Sequence, residues 1–291
     1  MAKSRMVSLL EGLTYQEGPQ PSALPGVNLM RMSKYVKTPV VYEPSIVILA
    51  QGRKIGYVGE RVYTYDANNY LVLSVPLPFE CETFATPGEP LLGLSISVTP
   101  GMLGELLLEM DAPSPSVETI SGIYATPLTE ELTGAGVRLL EALRSQADSR
   151  ILGPQIVREI TYRVLCGEQS GALRAVATRQ GHFAQIGKVL RRIHENYAES
   201  FQIEDMAREA SMSVTLFHQN FRAVTSTTPL QYVKTIRLHK ARLLMAQQGV
   251  NASVAARSVG YESASQFSRE FKRFFGDTPT EEAARVRAYL A

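Results

Sequence analysis

At 291 residues, with 45% apolar and 20% charged side chains, the chain has the length of about two domains and enough apolar content to bury cores, which excludes disorder as the default reading. No apolar run reaches 18 residues and the opening MAKSRMVSLLEGLTYQEG has no apolar stretch of the kind a signal peptide needs, so the sequence predicts a cytoplasmic protein without a membrane span. The net charge of +2 hides an asymmetry: residues 181–291 hold 15 Lys and Arg against 10 Asp and Glu, whereas the first 180 hold 15 against 18, and a basic half is what attraction to phosphate requires.

In chain order, residues 39–98 read as β. The runs SIVILAQ (45–51), RVYTY (61–65), YLVLS (70–74) and LLGLSISV (91–98) are β-branched and aromatic, and turn residues bound them: Gly52, Gly56, Gly59 with Glu60, Asp66 with Asn68 and Asn69, and Thr86-Pro87-Gly88. Short strands at that spacing predict a small barrel or sandwich. Tyr42, Glu43, Gln51, Arg53, Tyr63, Tyr65 and Ser74 lie on or near these strands, and Tyr42, Arg53, Tyr63, Tyr65 and Ser74 are the candidates for binding a small, partly apolar effector. Cys81 and Cys166 cannot make a disulfide framework and read as two small buried side chains rather than redox sensors.

From about residue 100 the period turns helical. Leu132, Leu139, Leu140 and Leu143 share a face in 128–146, as do Ile156, Ile160 and Val164 in 154–165, with Val157 beside them. Two such helices either cover the barrel or join two subunits into a homodimer. Gly167, Gly171 and Gly181 mark a flexible boundary, dividing the chain into a sensor and dimerisation domain (1–170), a linker (171–181) and an all-α domain (182–291).

The all-α part contains an internal repeat. MAREASMSVTLFHQNFRAVTSTTP (206–229) returns as AARSVGYESASQFSREFKRFFGDTP (255–279): Ala207 matches Ala256 and Ser211 matches Gly260, then Phe217 matches Phe267, Phe221 matches Phe271 and Pro229 matches Pro279. Each copy reads as a short helix with a small inward Ala, a tight turn, and a second helix anchored by two Phe four residues apart, which is a helix-turn-helix unit (about 204–224 and 254–275). The other face of each second helix carries Val214, Thr215, His218 and Gln219 in one copy and Ser265, Gln266 and Arg269 in the other. Gln and Arg can meet base edges with two hydrogen bonds, and Arg222, Lys272 and Arg273 stand at the far ends, placed for phosphates. Between the copies, PLQYVKTIRLHKARLLMAQQ (229–248) begins with Pro at a helix start and reads as a rod of about 30 Å, with Tyr232, Ile236, Leu243 and Leu244 on its apolar face. Such a spacer sets two reading helices about one turn of duplex apart, in successive major grooves of double-stranded DNA.

These residues resemble the AraC/XylS family of bacterial regulators. The resemblance covers about 190–285 and rests on FQIEDMAREASMS, LFHQNFR, TPLQYVKTIRLHKARLLM and VGYESASQFSREFKRFFGDTP. It implies two helix-turn-helix units in adjacent major grooves of a promoter, and contacts with RNA polymerase. The chain departs from the family pattern at Ser211, where Gly is common, and at Val214, where Pro or Ser is frequent. VVYEPSIVILAQGRKIGYVGERVYTYDANNYLVLSVPLP (40–78) and PLLGLSISV (90–98) resemble an AraC-type sensor domain, which implies a cupin-like β-barrel with trailing helices, an α+β chain overall. Cupin-like barrels also serve metalloenzymes, but all four histidines, His182, His194, His218 and His239, follow residue 181, and neither a P-loop nor a GxGxxG occurs. The expectation is therefore a regulator and not an enzyme, with no metal and no cofactor. The alternative is an adaptor controlled by a protein partner, with no small-molecule pocket.

Overall fold

The structure, a computed structural model, describes residues 2–110, 121–167, 169–178 and 181–290. The chain opens with α1 (Ala2–Leu13), then runs through β1 (Gly18–Pro21), β2 (Val27–Met32), β3 (Val36–Tyr42), β4 (Ser45–Gln51), β5 (Arg53–Val58), β6 (Arg61–Asp66), β7 (Asn69–Leu73), β8 (Leu77–Phe84) and β9 (Leu91–Ser97). Helix α2 (Pro100–Glu109) and strand β10 (Ile123–Pro127) follow. Every pairing is antiparallel, in the order β1-β2-β9-β4-β7-β6-β5-β8-β3, with β10 added to β7. The sheet curls into half of a barrel where the sequence led to a whole one, and the α+β fold class is as the sequence predicts.

Two turns show why the strands end where they do. The Asp66 carboxylate accepts the backbone N–H groups of Asn68 at 2.8 Å and Asn69 at 3.1 Å, an Asx turn that reverses β6 into β7. Gly52, at φ 82°, follows an irregularity in the β4–β9 register, and a Cβ there would lie 2.8 Å from the Leu91 Cα. Strand β4 is buried at every position but its last because α1 and the sheet interior cover its two faces.

The helical stretches read from the sequence are α3 (Glu130–Ala142) and α5 (Gly153–Leu165), joined by the short α4 (Gln146–Ile151). Their apolar stripes are used within the chain: Leu132, Leu139 and Leu140 of α3 and Val157, Ile160 and Val164 of α5 are buried, and α3 packs on both α1 and α5. Outward they carry ion pairs, Arg138 and Arg163 to Glu159 and Arg158 to Glu105 and Glu109. Cys81 is buried as expected, but Cys166 at the end of α5 is exposed because it lies off the helix's apolar stripe.

The glycine-marked boundary differs from expectation. Instead of a flexible stretch, residues 171–178 form α6 (Gly171–Thr178), with Ala172, Leu173 and Ala175 buried and the helix packed on α2. The glycines punctuate its ends, whereas ALRAVAT between them has the helix formers Ala, Leu and Arg and an apolar face. Then come α7 (Gly181–Glu195), α8 (Ile203–Glu209), α9 (Val214–Thr225), α10 (Pro229–Gln248), α11 (Ala252–Ser258), α12 (Ala264–Phe275) and α13 (Pro279–Leu290).

The buried core divides in the middle of α10. One apolar cluster runs from Met6 through the sheet, α7, α8 and α9 to Ile236, and a second, from Leu238 to Ala283, belongs to α11, α12 and the flanking helices. Because α10 touches β3 and β8 as well as α9, α11 and α13, it is buried on more sides than a simple amphipathic rod. Leu243, expected on its apolar face, is exposed, and Leu244 is half-buried.

Candidate nucleic-acid interface

The repeat seen in the sequence becomes two helix pairs built alike, α8–α9 and α11–α12. After each first helix the chain turns through a left-handed residue, Ser211 at φ 54° and Gly260 at φ 84°. Equivalent backbone bonds close both turns, Met212 N to Ala207 O and Tyr261 N to Ala256 O, each 2.9 Å, so the matched Ala pair sits at the crossing. Each second helix starts on a serine cap: Ser213 accepts from Leu216 N at 3.3 Å and Ser263 from Gln266 N at 3.2 Å. Each ends on a left-handed position, Ser226 at φ 58° and Gly276 at φ 88°.

The inner faces are aromatic. Phe217, Phe221, Phe267 and Phe271 are fully buried, with ring centroids 5.5 Å apart in the first pair and 5.3 Å in the second. That anchorage turns the opposite faces outward. Val214, Thr215, His218, Gln219 and Arg222 on α9, and Ser265, Gln266, Arg269, Lys272 and Arg273 on α12, are all exposed. Two exposed faces, each with a Gln and a basic residue at its far end, thus precede and follow the 20-residue α10 in the chain.

One group beside them has no counterpart in the sequence reading. Glu270, one turn after Gln266, accepts from the Gln266 amide at 3.1 Å, from Lys234 Nζ at 3.3 Å and from the Tyr261 hydroxyl at 2.9 Å. Burial acts to raise the Glu270 pKa, but the hydrogen bonds from Gln266, Tyr261 and Lys234 outweigh it and hold the carboxyl below the usual range. Gln266 is therefore held in place in the free protein, and Lys234 neutralises a negative charge at the edge of the basic face. The i, i+4 spacing of Gln266 and Glu270 was the available signal; Lys234 and Tyr261 reach Glu270 only through the tertiary fold.

The sheet's candidate ligand residues do not converge on one pocket. Lys54 lies opposite Tyr65 and Thr83, and Gly56 opposite Tyr63 and Cys81, so Tyr63 and Tyr65 share the buried face with Tyr42. There Tyr42 stacks on Phe79 at 5.2 Å and accepts from Lys54 Nζ at 2.8 Å, while Tyr65 is fully buried and meets Cys81 Sγ at 3.5 Å. Burial drives the Tyr65 pKa well up. Tyr63 is half-buried beside Ser121 at 3.4 Å. Arg53 departs from the expectation: strand alternation places it on the outer face, over the Phe84 ring at 4.4 Å, and the buried cation of β5 is its neighbour Lys54. Ser74 lies beyond β7, its hydroxyl donating to Gly122 O at 3.0 Å.

The two halves of the chain touch directly. The Tyr232 hydroxyl of α10, fully buried, donates to Pro76 O at 2.7 Å and meets His194 Nε2 at 2.7 Å. His194 Nδ1 lies 3.5 Å from Glu43, and that contact, chiefly the hydrogen bond to His194, holds the Glu43 carboxyl below its ordinary pKa. Gly122 N donates to Val224 O at 3.2 Å, and Arg242 Nη1 to Thr38 Oγ1 at 3.4 Å.

Among the described residues no helix is long and apolar enough to cross a membrane. Residues 206–285 match the helix-turn-helix domain family. The chain is 38% identical over 103 residues to the RCS-specific HTH-type transcriptional activator RclR of Escherichia coli, an alignment covering 35% of this chain and 36% of RclR, so the chain spans only about a third of that relative's length. The virulence regulon transcriptional activator VirF of Yersinia enterocolitica is 23% identical over 244 residues, covering 82% of this chain and 88% of VirF. In fold the chain is similar to an apo ToxT variant of Vibrio cholerae carrying one lysine-to-alanine substitution, at a TM-score of 0.60 and 14% identity over 89% of this chain and 96% of that one. ToxT with bound unsaturated fatty acid is similar at a TM-score of 0.59 and 11% identity, over 88% and 94%. Residues 23–172, half of the chain, match the AraC-type transcriptional regulator N-terminus, and the chain belongs to the AraC-type transcriptional regulators, which bind DNA through a helix-turn-helix.

Proposed function

We propose that the protein reads promoter DNA with both helix pairs, α9 and α12 lying in adjacent major grooves of one duplex. The observation that carries this reading is that all ten side chains on the two outer faces are solvent-exposed while the four phenylalanines behind them are not. At 1.5 Å per residue, α10 is about 30 Å long, close to one turn of B-DNA. Gln219, Gln266 and Arg269 are the base-reading side chains, Val214, Thr215, His218 and Ser265 line the groove, and Arg222, Lys272 and Arg273 hold phosphates.

Arg269→Ala is expected to cost roughly 1–3 kcal/mol on a duplex enriched from a random library by the wild type, and to relax preference at one base position. Titration against duplexes varied one base at a time checks it. A loss equal on every sequence, with a shallower salt dependence, would make Arg269 a phosphate contact and leave Gln266 as the base-reading side chain of α12.

The front half controls this reading. Occupation of a small-molecule site there changes how α9 and α12 are presented, since an effector shifts an equilibrium only by binding one arrangement better. A fold shared with a protein crystallised with an unsaturated fatty acid makes a small apolar acid the first class to test. Homodimerisation of the 128–165 region has to use what packing leaves outside, Ile151, Leu152 and Tyr162, all exposed. RNA polymerase is the partner at the promoter, and the cytoplasm the compartment. The second reading, control by a protein partner, draws on Tyr65 and Phe79, which occupy the sheet's buried face where an effector would otherwise sit.

A further inference from the structure

Resting on the sensor reading, a different place in the molecule has the makings of an effector site. A cavity of about 60 Å³ lies where the rim of the sheet meets α2, α6 and α7. Val75, Val98, Leu103 and Val176 give it apolar walls, and Arg191 is the charged group among its lining residues. Two features make it more than a packing gap. Gly187 leaves it open: a Cβ there would stand 3.8 Å from Val75 Cγ1 and 4.0 Å from the Arg191 guanidinium, ordinary contact distances, so a methyl group fits where none is present. Arg191, exposed to solvent but with its guanidinium brought back towards Gly187, has no ion-pair or hydrogen-bond partner among the described residues.

The walls of this cavity also hold the two halves of the chain together. Pro76, on one wall, accepts the Tyr232 hydroxyl; α7, the opposite wall, carries His194 one turn beyond Arg191, and His194 meets the same hydroxyl. Each is a 2.7 Å bond to a fully buried group. Anything that spreads Val75 and Pro76 from Gly187 and Arg191 pulls on both bonds of Tyr232, and Tyr232 belongs to the helix that joins the two DNA-reading units.

We propose that this cavity binds a short-chain monocarboxylate, its carboxylate on Arg191 and its alkyl end among Val75, Leu103 and Val176, and that its entry acts on DNA binding through the Tyr232 hydroxyl. The class follows from the lining: a planar guanidinium matches a carboxylate with two parallel hydrogen bonds. At about 60 Å³ the cavity has room for a carboxylate with a short alkyl end and none for a long chain, since one water takes about 30 Å³ of the liquid.

The test uses the full chain and sodium propionate, with propionamide as its neutral counterpart. By titration calorimetry propionate is expected to bind and propionamide to bind at least about tenfold more weakly, the loss of a charge-assisted pair. Gly187→Ala is expected to keep the fold, raise the melting temperature through helix propensity and abolish propionate binding by filling the cavity. Arg191→Gln should weaken propionate about tenfold or more. Propionate should change the affinity for the enriched duplex in the wild type, while Tyr232→Phe should still bind propionate and show no such change. No propionate binding by the wild type, undiminished binding by Gly187→Ala, equal binding of propionamide, or a DNA response that persists in Tyr232→Phe would overturn the proposal. In each case retained binding to the duplex leaves the regulator reading standing, whereas a wild-type chain that selects no duplex sinks that reading instead.

Discussion

Gly260→Ala is expected to destabilise the second helix pair by roughly 2–4 kcal/mol, the largest effect of any single methyl group in the DNA-reading half. Two costs add. Gly260 sits at φ 84°, where a Cβ is unfavourable in itself, and a Cβ there would come within 2.4 Å of Ala198 O and 3.0 Å of Ala198 C. The obstacle is backbone, between α7 and α8, and cannot swing aside as a side chain would. The matched position in the first unit, Ser211, already carries a side chain at φ 54°, so Ser211→Gly is expected to be neutral or to stabilise by at most about 1 kcal/mol. Urea denaturation of the full chain checks both signs. Because the second unit has its own apolar core, footprinting of Gly260→Ala on the enriched duplex should show protection lost over one half-site and kept over the other. A cost below about 1 kcal/mol for Gly260→Ala would mean that the turn can shift away from Ala198, against the close approach described above.

Glu282→Gln should be at least as costly, about 3–5 kcal/mol. Glu282 is fully buried on α13, paired with Arg242 Nη1 at 3.2 Å and with Arg285, whose Nε lies 2.8 Å away. Arg242 is itself mostly buried, stacked on Phe275 at 4.8 Å, and burial lowers its pKa by more than Glu282 holds it up. The amide keeps the shape but removes the counter-charge, leaving a guanidinium in a desolvated site. Arg242 also donates to Thr38 of β3, so loosening it should weaken the contact between α10 and the sheet along with α13. Thermal unfolding read by near-ultraviolet circular dichroism is the measurement; a shift no larger than that of an exposed pair, below about 1 kcal/mol, would show that solvent reaches Arg242.

Much of the DNA-reading half was legible before any coordinate. The 206–229 and 255–279 repeat, the Phe pairs and Pro229 predicted α9, α10 and α12 closely, since a short helix, a tight turn and an anchored second helix depend on local chemistry: caps, a left-handed turn residue and a four-residue apolar period. The strands at 45–51, 61–65, 70–74 and 91–98 were legible for the same reason, and so were α3 and α5. Helix α1 and strands β1, β2 and β10 were not anticipated. The spacing of Met6, Leu9 and Leu10 in α1 is a helical signal that lies in a stretch read only for targeting. Strand β10 has five residues and acquires its partner only by pairing with β7, about fifty positions earlier.

Amino-acid order alone thus determined helices α9 and α12, the long α10 between them and the β-then-α plan, because each follows from contacts within a few residues. Only the tertiary structure decided which way Arg53 and Lys54 point, that Glu270 draws Gln266, Lys234 and Tyr261 together, and that the core divides within α10 and not at the glycines of 167–181. Those outcomes depend on strand register and on contacts between distant segments, such as Tyr232 with Pro76, 156 positions apart. No local period encodes them.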